Sequence, residues 1–417
     1  MAELGHEVVG VDVDARKIDA LRAGRAPFFE PGLPELLSSG VGSGRLSFTT
    51  EFADAAGAAV HFVAVGTPQR PGELAADLSY VEAAIDALIP HLGEGDLVVG
   101  KSTVPVGTAA RLAERVRVAG AELAWNPEFL REGFAVKDTL EPDRLVYGVP
   151  EGEAGERAKA LLDEVYAGPL AAQTPLVVTD YATAELVKVS ANSFLATKIS
   201  FINAMAEIAE ATGADVTTLA DAIGFDARIG RRFLNAGVGF GGGCLPKDIR
   251  AFTARAEELG KGEAVAFLKE VDKINLRRRD RVVELVSAAL GENLVGTKVA
   301  VLGLAFKPES DDIRDSPALD VATRLAALGA RVVATDPQAI ETARRVNPGL
   351  EYVEETDGAL DGAEVVVLVT EWREYRDLDP ARVASLVAGR TIVDARNVLD
   401  PSAWRAAGWT YRGLGRP

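Results

Sequence analysis

The only cysteine of the chain, Cys244, follows a run of glycines and precedes a proline in Gly237-Val-Gly-Phe-Gly-Gly-Gly-Cys-Leu-Pro-Lys-Asp248. Pro246 suits the first turn of a helix, so backbone N–H groups and the positive helix end are expected to point at the sulfur. Lys247 lies close by, and both features favour thiolate over thiol. A reactive nucleophile is one reading. The other is an inert buried thiol beside a structural turn, although a packing cysteine needs no glycine loop around it.

Three further groups could serve such a nucleophile. In Ala184-Glu-Leu-Val-Lys-Val-Ser-Ala-Asn192, Lys188 and Asn192 stand four apart at helical spacing, share a face and can stabilise one developing oxyanion. A solvated lysine and asparagine would fit the same spacing. Lys101-Ser-Thr-Val-Pro-Val-Gly107, with Thr103, and Asn126-Pro-Glu-Phe-Leu-Arg-Glu-Gly133 each follow a strand pattern, at the edge where doubly wound sheets bind ligands. Glu128 and Glu132 in the second segment suit acid–base work if partly buried, and capping or a surface role otherwise. Asp12 ends a strand, where a carboxylate can accept both ribose hydroxyls and disfavour a 2′-phosphate, favouring NAD over NADP. Acidic residues ending strands are common, so Asp12 alone carries little weight.

The elements that must position these groups follow from periodicity. Val8–Val13, Val60–Val65, Leu97–Gly100 and Leu176–Thr179 read as buried strands between amphipathic stretches, the pattern of a parallel α/β sheet. From about Asp180 to Leu290 strand signals stop, and helical spacing runs through Ala184–Ala211 and Gly262–Leu290. Strands return at Lys298–Leu302, Arg331–Thr335, Val365–Thr370 and Thr391–Asp394. The expected fold class is α/β, with two doubly wound domains, 1–180 and 292–417, joined by a helical middle domain, 181–291.

The two α/β parts share a repeat. Ala2-Glu-Leu-Gly-His-Glu-Val-Val-Gly-Val-Asp12 aligns with Ala326-Ala-Leu-Gly-Ala-Arg-Val-Val-Ala-Thr-Asp336, with six of eleven positions identical. Both read as a helix end, a glycine cap and a strand ending in aspartate, the second half of a mononucleotide-binding unit. Generic likeness between such units would look similar. In the second copy Lys298–Leu302, a loop from Gly303 and a helix from Ser316 precede the matching segment; the first copy has no counterpart. The expectation is therefore that the N-terminal domain lacks its first strand and glycine-rich phosphate loop, ~20 to 25 residues in a typical unit, through an incomplete chain or a misplaced start.

The totals bound the chemistry. A chain of 417 residues exceeds what one core sustains, and 48% hydrophobic with 26% charged residues suits a globular enzyme. No apolar run approaches a membrane span, and Asp12 and Asp14 follow too soon for a signal peptide, so a cytoplasmic protein without membrane partners is expected. A net charge of −17 opposes nucleic-acid binding and leaves an anionic substrate dependent on a local basic pocket. One cysteine permits no internal disulfide, and three scattered histidines show no metal-ligand spacing.

Taken together, GFGGGCLPKD, KSTVPVG, NPEFLREG and AELVKVSAN, in this order and spacing, resemble the UDP-glucose/GDP-mannose dehydrogenase family from Ala2 to about Arg412. Arg228-Ile-Gly-Arg-Arg-Phe-Leu-Asn-Ala-Gly237 is similar to the UDP-glucose branch. The resemblance implies two Rossmann-like domains, NAD as cofactor, UDP-glucose as substrate and a homodimer or larger homo-oligomer. It implies Cys244 as nucleophile, Lys188 and Asn192 as the oxyanion pair, Asp248 as the carboxylate assisting proton transfer, and Thr103 and Glu128 at water-handling and acid–base positions. NAD contacts fall on Asp12, Lys17, Thr67, Thr103, Glu132, Lys247 and Arg314. Substrate contacts fall on Glu128, Phe129, Leu130, Arg131, Lys188, Asn192, Phe233, Leu234, Asn235, Ala236, Gly237, Gly241, Lys307 and Arg396, with Arg228 reaching a neighbouring subunit's site. No metal is implied. The implied reaction oxidises C6 of the glucosyl unit twice, with Cys244 trapping the intermediate aldehyde, to give UDP-glucuronate and two NADH.

Two departures from the family stand out: the missing phosphate loop, and Gly243 where the family usually has serine. Three other readings fit parts of the pattern. One is a GDP-mannose or other nucleotide-sugar dehydrogenase. The second is a 3-hydroxyacid-type dehydrogenase, which needs no thiol. The third is a non-catalytic UDP-sugar-binding or assembly protein.

Overall fold

A computed structural model describes residues 1–291 and 293–417. They form two compact units, Met1–Ala191 with Arg250–Gly262, and Asn192–Ile249 with Glu263–Pro417. The helical middle segment is therefore divided between both units.

In the first unit, strands β1 (Val8–Val11) and β2 (Leu46–Thr49) pair in parallel as a sheet of their own. β3 (Val60–Val63), β4 (Leu97–Gly100), β5 (Glu122–Trp125), β6 (Leu145–Gly148) and β7 (Leu176–Thr179) form a second sheet in that order. Every residue of β4 is buried, which explains its unbroken apolar run. The sheet departs from the all-parallel expectation: β5 pairs antiparallel with β6, and β7 then follows β6 in parallel. The chain leaves β5 through the Asn126–Gly133 loop and a short helix, Ala135–Leu140, and returns along the same sheet without the full crossover that parallel pairing needs. One face packs Val98, Leu112, Val116, Leu123 and Trp125; the other packs Val99, Tyr147, Leu162 and Tyr166.

In the second unit, β8 (Lys298–Leu302), β9 (Arg331–Thr335), β10 (Glu351–Tyr352), β11 (Val365–Leu368), β12 (Thr391–Asp394) and β13 (Thr410–Gly413) form one parallel sheet, ordered β10-β9-β8-β11-β12-β13. Central β8 and β11 are apolar and almost wholly buried. A basic helix, Phe267–Ala289, contributes Val282 and Val286 to the cluster on one face, while Trp372, Tyr375, Trp404 and Trp409 fill the other.

The repeat is structural as well as sequential. Gly5 and Gly329 adopt left-handed conformations, φ 99° and 95°, shortly before β1 and β9, and Asp12 and Asp336 directly follow these strands. In the second sheet β8 lies between β9 and β11; among the described residues of the first unit, no strand joins β1 to β3.

The 32-residue helix Tyr181–Thr212 buries Ala184, Glu185, Lys188, Asn192, Ala196 and Asn203 while exposing Phe194, Phe201 and Ile208. A second helix, Leu245–Glu258, begins directly after Cys244. Its first turn is closed by the bond from the Asp248 amide to the Cys244 carbonyl, 3.0 Å, which puts the cysteine at the N-cap.

Gly303 ends β8 with φ +108°, and a side chain there would meet the Thr370 backbone nitrogen at 2.6 Å. Gly303→Ala is expected to destabilise by on the order of 3 kcal/mol, combining left-handed strain with overpacking. Gly44 is left-handed too, φ +74°, but has nothing within 4 Å, so Gly44→Ala should cost far less. Thermal unfolding of both variants checks this, and equal losses would disprove the steric account.

Candidate active site

Cys244 is exposed at its helix N-terminus, which disposes of the inert buried thiol. Four residues along, the Asp248 carboxylate is only 2% exposed. Its Oδ2 accepts from Asn192 Nδ2 at 2.6 Å and its Oδ1 from Lys247 Nζ at 2.5 Å. A buried carboxylate requires such donors, because an unpaired charge there is costly. Lys247, expected as a cofactor contact, is thus also a partner of Asp248.

Lys188 is 5% exposed and Asn192 8%, so neither is a solvated surface residue. They lie one turn apart on the long helix, and Lys188 Nζ pairs with Glu128 Oε1 at 3.1 Å. The other oxygen, Glu128 Oε2, accepts from the Leu130 amide at 2.6 Å, tightening the NPEFLREG turn. The Phe129 ring packs under the Arg144 guanidinium, 3.7 Å from the ring centre, with Lys188 Nζ at 5.5 Å. Arg131 grips Asp138 with two nitrogens, at 2.9 and 2.6 Å. Thr103 is joined to Thr67, whose buried hydroxyl donates to the Thr103 carbonyl at 2.9 Å.

Three supports of these loops were not singled out in the sequence. Glu30 is buried and accepts from the Gly133 and Ala135 amides, both at 2.7 Å, fixing the far end of the NPEFLREG loop. Nothing in Glu30-Pro31-Gly32 signals this long-range contact. Glu185 is buried and accepts from the Gly107 and Ala109 amides at 2.8 and 2.7 Å, where KSTVPVG meets the helix Thr108–Val118. Burial raises its pKa above the usual carboxylate value, against these hydrogen bonds. Its position one turn before Lys188 was a readable signal. Lys101 donates to Asn126 Oδ1 at 2.8 Å and Tyr166 Oη at 3.1 Å.

In the second unit, Arg396 donates to three backbone carbonyls, Val369 (2.7 Å), Gly239 (2.9 Å) and Phe306 (2.9 Å), so it holds the glycine loop in place. Gly237 donates to the buried Asn203 amide oxygen at 2.8 Å, and Leu234 and Ala236 are buried beside it. Phe233 takes a left-handed conformation, φ 65°, and stays 39% exposed. Asn235 accepts from Arg231 at 2.7 Å. Arg228 pairs with Asp226 at 2.6 Å and projects outward, its side chain 89% exposed. Lys307 Nζ lies 5.5 Å from the Phe306 ring centre. Gly241 passes close to the Asp315 carbonyl and Pro317, where a side chain has no room.

Asp12 is the residue expected at the ribose of a dinucleotide. It is solvent-accessible beyond β1, with Oδ1 accepting from the Asp14 amide at 2.8 Å and Oδ2 paired with Lys17 at 3.2 Å. Among the described residues no group of three or more metal-ligating side chains occurs, and no helix is long and apolar enough to cross a membrane.

The second unit thus carries an exposed thiol at a helix N-terminus, four residues before a buried carboxylate–amide pair. Models of the UDP-glucose/GDP-mannose dehydrogenase family match the NAD binding domain over residues 1–168, the central domain over 182–277 and the UDP binding domain over 300–401. A UDP-glucose 6-dehydrogenase of Rhizobium meliloti (strain 1021) is 44% identical over 421 residues, covering 100% of this chain and 95% of that protein. A UDP-glucose dehydrogenase structure from Pyrobaculum islandicum superimposes with a TM-score of 0.90 at 43% identity, covering 100% of this chain and 94% of that one. A UDP-D-ManNAc dehydrogenase from Pyrococcus horikoshii gives 0.85 at 26% identity, covering 100% and 95%. The chain belongs to the UDP-glucose/GDP-mannose dehydrogenase family.

Burial lowers the Lys101 pKa from 10.5 to about 8, against the attraction of Glu128 and with a further push from Lys188. Because this base is depressed in the folded state, the unfolded chain binds more protons between pH 8 and 10.5, so folding stability contributed by Lys101 rises with pH there. Lys101→Met is expected to raise stability at pH 7 by about 1–3 kcal/mol, an advantage that shrinks as pH climbs through 8 to 10. Unfolding midpoints across that range check it. A gain independent of pH would refute the buried-charge explanation.

Proposed function

We infer that this chain is an NAD-dependent UDP-glucose 6-dehydrogenase. The observation that carries the reading is the exposed Cys244 at a helix N-terminus, four residues before a buried carboxylate held by Asn192. UDP-glucose is preferred over other nucleotide sugars because relatives named for it are 43% and 44% identical, against 26% for the UDP-D-ManNAc enzyme.

NAD, when bound, supplies the acceptor for the hydride that leaves in each of two oxidations. Asp12 and Lys17 would hold its ribose, with Thr67, Thr103, Glu132, Lys247 and Arg314 as further contacts. Asp248, through a water, takes the proton of the C6 hydroxyl in the first oxidation, while Lys188 and Asn192 steady the alkoxide. Cys244 Sγ then adds to the aldehyde carbon, forming a C–S bond and a thiohemiacetal whose oxidation leaves a thioester. Water attacks that thioester with Glu128 as base, releasing the carboxylate and the Cys244 thiol. Lys188 Nζ, 3.1 Å from Glu128 Oε1, holds that carboxylate in position. Substrate positioning falls to the Phe129–Arg131 segment, Phe233 to Gly237, Gly241, Lys307 and Arg396.

The expected stoichiometry is two NADH per UDP-glucose, with UDP-glucuronate as product. Cys244→Ala should lower that turnover by about 10³-fold or more, as for other nucleophile deletions. Absorbance at the NADH band with product chromatography checks it. Full two-step turnover by Cys244→Ala, or faster oxidation of GDP-mannose than of UDP-glucose, would overturn the assignment.

A self-associated form also has support. Phe194 (67% exposed), Phe201 (49%) and Ile208 (59%) recur every seven residues along one 32-residue helix, the spacing of a helix–helix seam. A second copy of this chain is the natural cover for that seam, and exposed Arg228 is placed to reach out from the surface. Light scattering should find a dimer or larger assembly, and Phe201→Glu should shift it toward monomer; a monomeric parent would refute this reading.

A further inference from the structure

Three consecutive glycines precede Cys244, and each meets a different part of the 306–317 segment. A side chain at Gly241 would strike the Asp315 carbonyl and the Pro317 ring, the latter at 2.7 Å. At Gly242, where φ is +84°, it would strike the Phe306 ring at 2.8 Å, and the Gly242 amide already donates to the Arg314 carbonyl at 2.8 Å. These two glycines are demanded by fixed neighbours: backbone, a proline ring and an aromatic ring.

Gly243 differs. Its backbone is not left-handed, and the atoms in the way of a side chain belong to the Arg314 guanidinium: Cζ at 2.2 Å and Nη1 and Nη2, both at 2.5 Å, from where a Cβ would stand. The far end of a flexible side chain can move, so the fold itself does not require glycine at 243. What requires it is the placement of that guanidinium. Asp312 orients the group from the other side, accepting from Nε at 2.9 Å and Nη2 at 2.8 Å. The loop beneath is anchored by Arg279, which is buried and donates to the Asp315 carboxylate at 2.7 Å and carbonyl at 3.0 Å.

We propose that Gly243 is a positioning residue: by having no side chain it seats the Arg314 guanidinium flat against the residue preceding the nucleophile, giving Cys244 a fixed cation that draws anionic reactants to the sulfur. Serine or alanine at 243 displaces the guanidinium from this seat, and with it the local positive potential. The idea rests on Cys244 being reactive, as in the proposed function, and adds the source of its preference for anions.

Alkylation of the cofactor-free protein separates the two. Iodoacetamide is neutral and iodoacetate anionic, and both alkylate Cys244 Sγ with loss of iodide, so the ratio of their rates reports the charge around the sulfur and is insensitive to its intrinsic nucleophilicity. Arg314→Gln should lower the iodoacetate-to-iodoacetamide ratio by about three- to tenfold at low salt, converging with the parent at high salt. Gly243→Ser and Gly243→Ala should lower it comparably, and Gly243→Ser with Arg314→Gln should go no further than either alone. An unchanged ratio in Arg314→Gln, whose side chain is largely exposed and whose replacement leaves the core intact, overturns the proposal whatever the Gly243 variants do. So does an additive double variant. Failure of either reagent to label Cys244 in the parent would instead refute the nucleophile itself.

Discussion

The buried carboxylate of Asp248 constrains much of what surrounds it. A carboxylate at 2% exposure needs strong donors on its oxygens, and Asn192 and Lys247 provide them. Asn192 comes from the long helix and Lys247 from the turn that follows Cys244, so one carboxylate ties the helix that begins after Cys244 to the long helix Tyr181–Thr212. Loss of either donor leaves part of that charge uncompensated, on the order of 3–5 kcal/mol for a fully broken buried pair. The same pairing fixes the orientation of the Asn192 amide.

Around that pair the second unit is held by arginines that act as bolts. Arg396 gathers three carbonyls from the glycine loop, the loop after β8 and the end of β11. Arg278, 1% exposed, reaches Glu210 at 3.1 Å on the long helix, and Arg279 holds Asp315 and Asp320. A helix reading Leu-Arg-Arg-Arg-Asp-Arg suggests a solvated face, yet two of its arginines are among the most buried charged groups. Each is matched to a carboxylate, the condition under which burial of charge is tolerated. The glycines of the cysteine loop are the complement of this arrangement, since the bolted loop comes too close for side chains.

The sequence showed the strongly periodic elements and the motif residues best. The predicted strands at Leu97–Gly100, Leu176–Thr179, Lys298–Leu302, Arg331–Thr335 and Thr391–Asp394 match β4, β7, β8, β9 and β12. β2, β5, β6, β10 and β13 were not singled out. Four residues such as Glu122-Leu-Ala-Trp or Thr410-Tyr-Arg-Gly are too short to establish a period, and their strand state comes from pairing with distant neighbours. The site divides the same way. Lys188 with Asn192 was visible because helical spacing is local, whereas their burial, which separates a functional pair from a solvated one, depends on tertiary packing. Glu30 illustrates the limit: it supports a loop 103 residues away, and no local pattern encodes that contact.

The duplicated strand–aspartate unit shows how burial separates two residues that the sequence makes equivalent. Asp12 and Asp336 occupy equivalent places after β1 and β9, but only Asp12 presents its carboxylate to solvent. Asp336, 2% exposed, accepts from the amides of Leu304, Ala305, Gln338 and Ala339 and from the Trp372 indole, at 2.7–3.1 Å. Leu304 and Ala305 begin the loop after β8, the region whose amides cradle phosphate in dinucleotide-binding units. In the C-terminal copy those donors are satisfied from within, by the Asp336 carboxylate. The two copies are thus distinguished by the company their aspartates keep: one faces solvent beside Lys17, and the other is a structural acceptor in the core.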